Sequence, residues 1–112
     1  MNFANFFNFN ASAAGIVPHD EMVEIVRTGA AHVVDVREEH EFRSGAIEGA
    51  INVPLSRFNP HAVPKDKPVV VYCLSGARSG TAKQILESSG HADVRNYRSG
   101  VGVWRMQGGR MV

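Results

Sequence analysis

Val69-Val-Val-Tyr-Cys73-Leu-Ser-Gly-Ala-Arg78-Ser-Gly80 decides the fold, because an apolar run gives way there to a glycine-containing turn and then to a helical pattern. Val69 to Tyr72 are β-branched or aromatic without a polar break, as expected of a strand covered on both faces. From Ser79 to Ser89 the apolar residues Ala82, Ile85 and Leu86 recur at helical spacing, and Gly90 suits the position just past a helix end. The single cysteine of the chain stands at the junction of the two elements.

That position has chemical consequences. Thiolate is the reactive form of cysteine, and a free thiol ionises only near about pH 8.5. In a strand–turn–helix junction the backbone N–H groups of Leu74, Ser75, Gly76, Ala77 and Ser79 can converge on Cys73, with the positive end of a helix just beyond. Gly76 and Gly80 permit close backbone approach and positive φ. Arg78 adds a planar cation that keeps its proton and suits a tetrahedral oxyanion. Cys73 is therefore expected to be deprotonated near neutral pH and to face an anionic substrate. The competing reading is a buried, inert cysteine at a strand end with Arg78 on the surface. The glycine, the arginine and the helix start beside Cys73 weigh against it.

Upstream, Ile16-Val17 is long enough for a short edge strand that Pro18 ends. Asp20 reads as the N-cap of a helix with Met22, Val23 and Val26 as its apolar stripe, and with Arg27 and Gly29 as stop signals. His32 to Val36 is a second apolar strand, which hands over at Asp35-Val36-Arg37 to a charged helical segment, Glu38 to Arg43. Ala50 to Val53 reads as a third strand stopped by Pro54, and Ser56 to Ala62 as a short helix. Val94 to Tyr97 reads as the last strand, followed by a short segment bearing Trp104 and a frayed end at Gly108-Gly109. Strands alternating with helical segments predict an α/β fold: a small, open, mostly parallel sheet flanked by helices. Ligands of such sheets sit outside the carboxyl ends of the strands, where strand order reverses. Asp35 to Arg37 and Cys73 to Arg78 both fall at carboxyl ends, so the reversal is expected beside the cysteine loop.

With 112 residues, 44% hydrophobic and 21% charged, the chain has the size and composition of one globular domain. Residues 1–14 are set apart as an uncharged Phe/Asn-rich extension, and residues 15–112 as the domain. The four phenylalanines of the extension are unusual for a disordered tail, which leaves docking on the domain or on another subunit open. No run approaches the ~18 apolar residues of a membrane span. The opening lacks a basic n-region and its apolar residues are interrupted by asparagines, so it does not read as a signal peptide. A lone cysteine forms no internal disulfide, which makes the cytoplasm the default compartment. The net charge of +1 gives no reason to expect a nucleic-acid or membrane partner. Arg95, Arg98, Arg105 and Arg110, with no acid among them, form a basic C-terminal edge, read as a solvated face with docking as the alternative.

The chain resembles the rhodanese family of sulfurtransferases in its single-domain form. Cys73-Leu-Ser-Gly-Ala-Arg78 is similar to that family's cysteine-x-x-glycine-x-arginine loop, and Asp35-Val-Arg37 to its aspartate-valine-arginine strand end. Gly45-Ala-Ile-Glu-Gly-Ala-Ile-Asn-Val-Pro54 resembles its glycine-histidine-isoleucine segment, and Ser99-Gly-Val-Gly-Val-Trp104 its late glycine–tryptophan turn. The resemblance covers residues 16 to 109 in order, and the extension lies outside it. Ala46 stands where the family usually has histidine, Ser99 replaces a glycine, and Val103 a common alanine. The first removes a structural hydrogen bond; the other two bear on how Trp104 packs.

The resemblance implies a two-step transfer. Cys73 takes the outer sulfur of a small anionic donor such as thiosulfate and becomes a persulfide, held by the loop N–H groups and the Ser75 or Ser79 hydroxyl. Cyanide, a thiol or a sulfur-relay protein partner then accepts that sulfur. No metal or organic cofactor is implied. Asp35 is read as structural, bonding loop N–H groups or pairing with an arginine, and Arg37 as paired with Glu38, Glu41 or another acid. Trp104 is read as a core aromatic rather than a substrate platform. The five histidines, His19, His32, His40, His61 and His91, show no spacing that suggests a site. Two other functions stay open. Phosphatases and arsenate reductases on this scaffold place one residue more between cysteine and arginine than Leu74 to Ala77 provide, which makes a wider loop. A non-enzymatic binding or regulatory module typically loses the cysteine, which this chain keeps.

Overall fold

A computed structural model describes residues 15–112; the Phe/Asn-rich extension lies outside the described residues. Helix α1, His19–Thr28, precedes strand β1, His32–Asp35, and a short helix α2, Glu39–Arg43. Strand β2, Ile51–Asn52, leads through two 3-10 turns, Leu55–Arg57 and Pro60–Ala62, to β3, Val69–Tyr72. Helix α3, Ala77–Ser88, strand β4, Val94–Asn96, and helix α4, Gly100–Met106, complete the order. All four strands are parallel, in the order β2-β1-β3-β4. The chain adds β2 on one side of β1 and then crosses to place β3 on the other. The reversal therefore falls between β1 and β3, where Val34 pairs with Val71 and Asp35 with Tyr72.

Period-two alternation splits the two central strands between two apolar layers. Val33, Val70 and Tyr72 pack with Met22 and Ile25 of α1 and Val101 and Trp104 of α4. Val34, Val69, Val71 and Cys73 pack on the other face with Ala82 and Leu86 of α3 and with Val53 and Val63. Every residue of β3 is buried, which is why this strand reads as an unbroken apolar run.

Several boundaries differ from the sequence reading. Pro18 in extended conformation, not Asp20, is the N-cap of α1, and the stripe turns so that Met22 and Ile25 are buried while Val23 is exposed. The Ser56 to Ala62 segment forms 3-10 turns, the second capped by the Asn59 side chain accepting from the His61 N–H at 3.0 Å. Helix α3 begins at Ala77, two residues early, so Arg78 lies in its first turn. Ile16 makes a single parallel bridge to Asn96.

The C-terminal residues are not frayed. Ala46 and Val112 exchange backbone hydrogen bonds of 3.0 and 2.9 Å, and Met111 bridges Ile47 antiparallel. Backbone pairing thus holds the Ala46 segment. Gly109 makes this return possible, since a Cβ there would lie 2.2 Å from the Trp104 ring. Trp104 is buried edge-on to Tyr97, with centroids 6.2 Å apart, and its indole N–H donates to the Arg110 carbonyl at 3.1 Å.

Because the indole is buried and cannot yield, Gly109→Ala is expected to lower stability by about 1–3 kcal/mol through overpacking. Leu86→Ala empties a fully buried site on the other face and is expected to cost about 2–5 kcal/mol. Denaturant melts of both variants check these values.

Candidate active site

The carboxyl end of β3 delivers Cys73 into a loop whose amides turn back on its sulfur. The Gly76 N–H donates to Cys73 Sγ at 3.1 Å, and the Ser79 hydroxyl lies 3.4 Å from it. Gly76 has φ of 105°, and a Cβ there would meet the Arg98 carbonyl at 2.8 Å, so only glycine serves at this turn. The loop's carbonyls face the other way. Val101 N–H donates to the Cys73 carbonyl at 3.0 Å, and Gly102 N–H points to the Leu74 carbonyl at 3.5 Å. Gly100, with φ of 75°, brings the start of α4 so close that a Cβ there would stand 2.1 Å from the Leu74 oxygen.

Burial pushes the Cys73 thiol up. The Ser79 hydroxyl and the N–H groups of Ser79, Gly76 and Ser75 pull it down further, leaving it below the ordinary value. The Ser79 hydroxyl has one proton and two acceptors in reach, Cys73 Sγ and the Gly76 carbonyl at 3.1 Å. A thiolate would draw that proton, because a charge-assisted hydrogen bond is the stronger. Cys73 is thus both a core neighbour of Val34 and Val71 and the acceptor of a loop amide.

The other expected residues fall in distinct places. Leu74 and Ser75 form the exposed crest of the loop, and Ala77 opens α3 on the surface. The two terminal nitrogens of Arg78 donate to the Glu41 carboxylate at 2.7 and 3.1 Å. This bidentate pair holds the Glu41 carboxyl at about 2, with the Arg78 hydrogen bonds as the leading cause. Glu41 also accepts from the Glu38 N–H at 3.0 Å in a capping box, so α2 is built to present it. The cation expected to suit an oxyanion, Arg78, is thus paired with a carboxylate in this structure.

Asp35 is fully buried and takes both the backbone N–H of Arg37, at 2.9 Å, and its guanidinium, at 2.7 Å to Oδ2. Arg37 thus pairs with Asp35 rather than with Glu38 or Glu41, and its second contact is the Gly45 carbonyl at 2.8 Å. Asn52 donates to the carbonyls of Asp35 and Arg37 and closes this turn. Trp104 joins the opposite apolar layer and acts on the site only through α4. Glu41, Asn96 and Gly100 are the residues the sequence reading missed. The Asn96 side chain donates to the Gly76 carbonyl at 3.4 Å. Only the Glu38–Glu41 spacing of a capping box could have drawn attention to one of them.

A thiol held by loop amides where strand order reverses, at the carboxyl end of a central parallel strand, defines a small cysteine-loop α/β domain. The chain belongs to the Rhodanese-like domain family, whose model matches residues 18–107. It is 41% identical over 76 residues to the uncharacterized protein YqhL of Bacillus subtilis, across 66% of this chain and 60% of that one. It is 41% identical over 71 residues to the thiosulfate sulfurtransferase PspE of Escherichia coli, across 60% of this chain and 68% of that one. The human single-domain sulfurtransferase TSTD1 superposes with a TM-score of 0.74 at 27% identity, over 84% of this chain and 97% of that one. The chain spans 60% and 45% of the length of two uncharacterized relatives it matches.

Ser79→Ala removes the hydroxyl that favours the thiolate. The pH midpoint of Cys73 alkylation is expected to move upward, read from iodoacetamide rates across pH. Glu41, whose carboxyl is depressed by folding, contributes stability that is present above the ordinary carboxylate range and is lost as pH falls toward about 2. Glu41→Gln is expected to lower stability at neutral pH and to flatten the acid limb below about pH 4.5, read from denaturant midpoints.

Proposed function

We propose that this chain is a sulfurtransferase that carries sulfur as a Cys73 persulfide. The observation that carries this reading is the Gly76 amide at 3.1 Å from Cys73 Sγ, within a loop of four residues between cysteine and arginine. In the first step the thiolate attacks the outer sulfur of thiosulfate. The S–S bond of the donor breaks, its electron pair leaves with sulfite, and Cys73–S–S⁻ remains. In the second step a thiolate or cyanide attacks the terminal sulfur, and Cys73 leaves as the thiolate it was. Neither step requires a metal or organic cofactor.

Each ionised sulfur needs donors, and the loop amides with the Ser79 hydroxyl supply them without a general base. Asp35, tied up by Arg37, is not available as a base in this scheme. The names of relatives such as PspE, a thiosulfate sulfurtransferase, support the donor class. A narrow loop supports sulfur over phosphoryl chemistry, since its amides close on one atom rather than on a tetrahedral group above it. A protein thiol is an acceptor of the same chemistry as a small thiol.

Incubation with thiosulfate is expected to add the mass of one sulfur atom to the wild-type chain and nothing to Cys73→Ser, read by intact mass spectrometry. Addition of cyanide is expected to remove it as thiocyanate. An unmodified wild-type chain, or hydrolysis of an aryl phosphate that Cys73→Ser abolishes, would overturn the reading.

A further inference from the structure

The cation expected to receive the anion, Arg78, is matched by Glu41 through two hydrogen bonds. The arginine at the β1 end, Arg37, is matched by buried Asp35. Each of these charges is matched by a carboxylate, which weakens its pull on an incoming anion. Arg98 differs from both. It lies on the link between β4 and α4, is exposed, and makes no hydrogen bond or ion pair with any described residue.

Its backbone is pressed against the cysteine loop. A Cβ on Gly76 would come within 2.8 Å of the Arg98 oxygen and 3.3 Å of its Cα, and the Gly76 amide is the one bonded to Cys73 Sγ. The Arg98 backbone thus packs against the residue whose amide bonds the sulfur, and its long cationic side chain has no carboxylate partner among the described residues. Its neighbour Arg95 donates to Asp93. Leu74, half-exposed on the loop crest, adds no charge.

We propose that Arg98 is the residue that recruits and holds the anionic group of the incoming sulfur donor at Cys73, while Arg78 serves to fix the loop against α2. This inference rests on the sulfur-transfer reading for the identity of the donor, but not for the position of the charge. A free cation beside a reacting atom raises the local concentration of anions, and the gain shrinks as salt screens it.

Cys73 is the only cysteine, so its alkylation can be followed without interference. The test compares the rates of anionic iodoacetate and neutral iodoacetamide at low salt, since their ratio cancels thiolate fraction and access. Arg98→Gln is expected to lower the ratio by about three- to tenfold, and Arg98→Glu further. Arg98→Lys keeps the charge and is expected to retain most of the ratio. Arg27→Gln removes the same charge from α1, on a different face, and is expected to leave the ratio unchanged. Added salt is expected to bring wild type and Arg98→Gln together.

In the sulfur-transfer assay, KM for thiosulfate is expected to rise in Arg98→Gln by a similar factor and to return in Arg98→Lys. An unchanged ratio in Arg98→Gln, an Arg98→Lys ratio as low as that of Arg98→Gln, or an equal fall in Arg27→Gln would overturn the assignment. Should wild type form no persulfide, the sulfur-transfer reading fails, and the alkylation ratio still decides whether Arg98 attracts anions to Cys73.

Discussion

A loop that aims its amides at a sulfur must aim its carbonyls elsewhere, and those carbonyls need partners. In this protein the partner is the start of helix α4. Val101 takes the Cys73 carbonyl, and Gly100 lets the two backbones meet at a distance no side chain permits. Much else follows from this contact. It requires β4 to lie beside β3, so that the β4–α4 link passes over Gly76. It also requires α4 to be held in place from behind, which Trp104 does through Tyr97 and the returning C-terminal residues. The aromatic layer on one face of the sheet therefore supports the geometry of a sulfur that packs on the other.

Two acid–arginine pairs border the same end of the sheet and do different work. Asp35 and Arg37 are buried, where a pair gains little net stability but fixes geometry, since either charge alone would be costly. They shape the turn after β1, with Asn52 closing it. Glu41 and Arg78 are partly exposed and join α2 to the first turn of α3. Their bidentate geometry fixes the orientation of the helix that follows the Cys73 loop. Arginine at this position acts as a brace. On the β4–α4 link, Arg98 makes no ion pair among the described residues.

The legible parts of the chain were those where local pattern and tertiary environment agree. Val69 to Tyr72 reads as a strand and is one, because a central parallel strand is apolar on both faces. Ala82 and Leu86 read as the buried side of a helix and pack against that strand. The misreadings have a common cause. Gly108-Gly109 looks like a frayed end because glycine gives no packing signal; here its lack of a side chain admits the Trp104 ring. Val23 looks like part of an apolar stripe, yet the sheet meets α1 on the side of Met22 and Ile25. Ser56 to Ala62 reads as one short helix, but Asn59 and Pro60 restart the chain as a second 3-10 turn.

The cysteine at the strand end, the glycine turn and the parallel α/β architecture were determined by the sequence itself, because each depends on residues adjacent in the chain. A strand run, a glycine at a tight turn and a helix start are local requirements of backbone sterics and hydrogen bonding. Which acid meets which arginine was decided only by the tertiary structure. Arg78 lies 37 residues from Glu41, and nothing near either residue in the chain names its partner. The same holds for the Arg98 backbone against Gly76 and the Gly100 approach to Leu74. Those contacts exist because strand order places β4 beside β3, and distances across a sheet are set by topology, not by spacing along the chain.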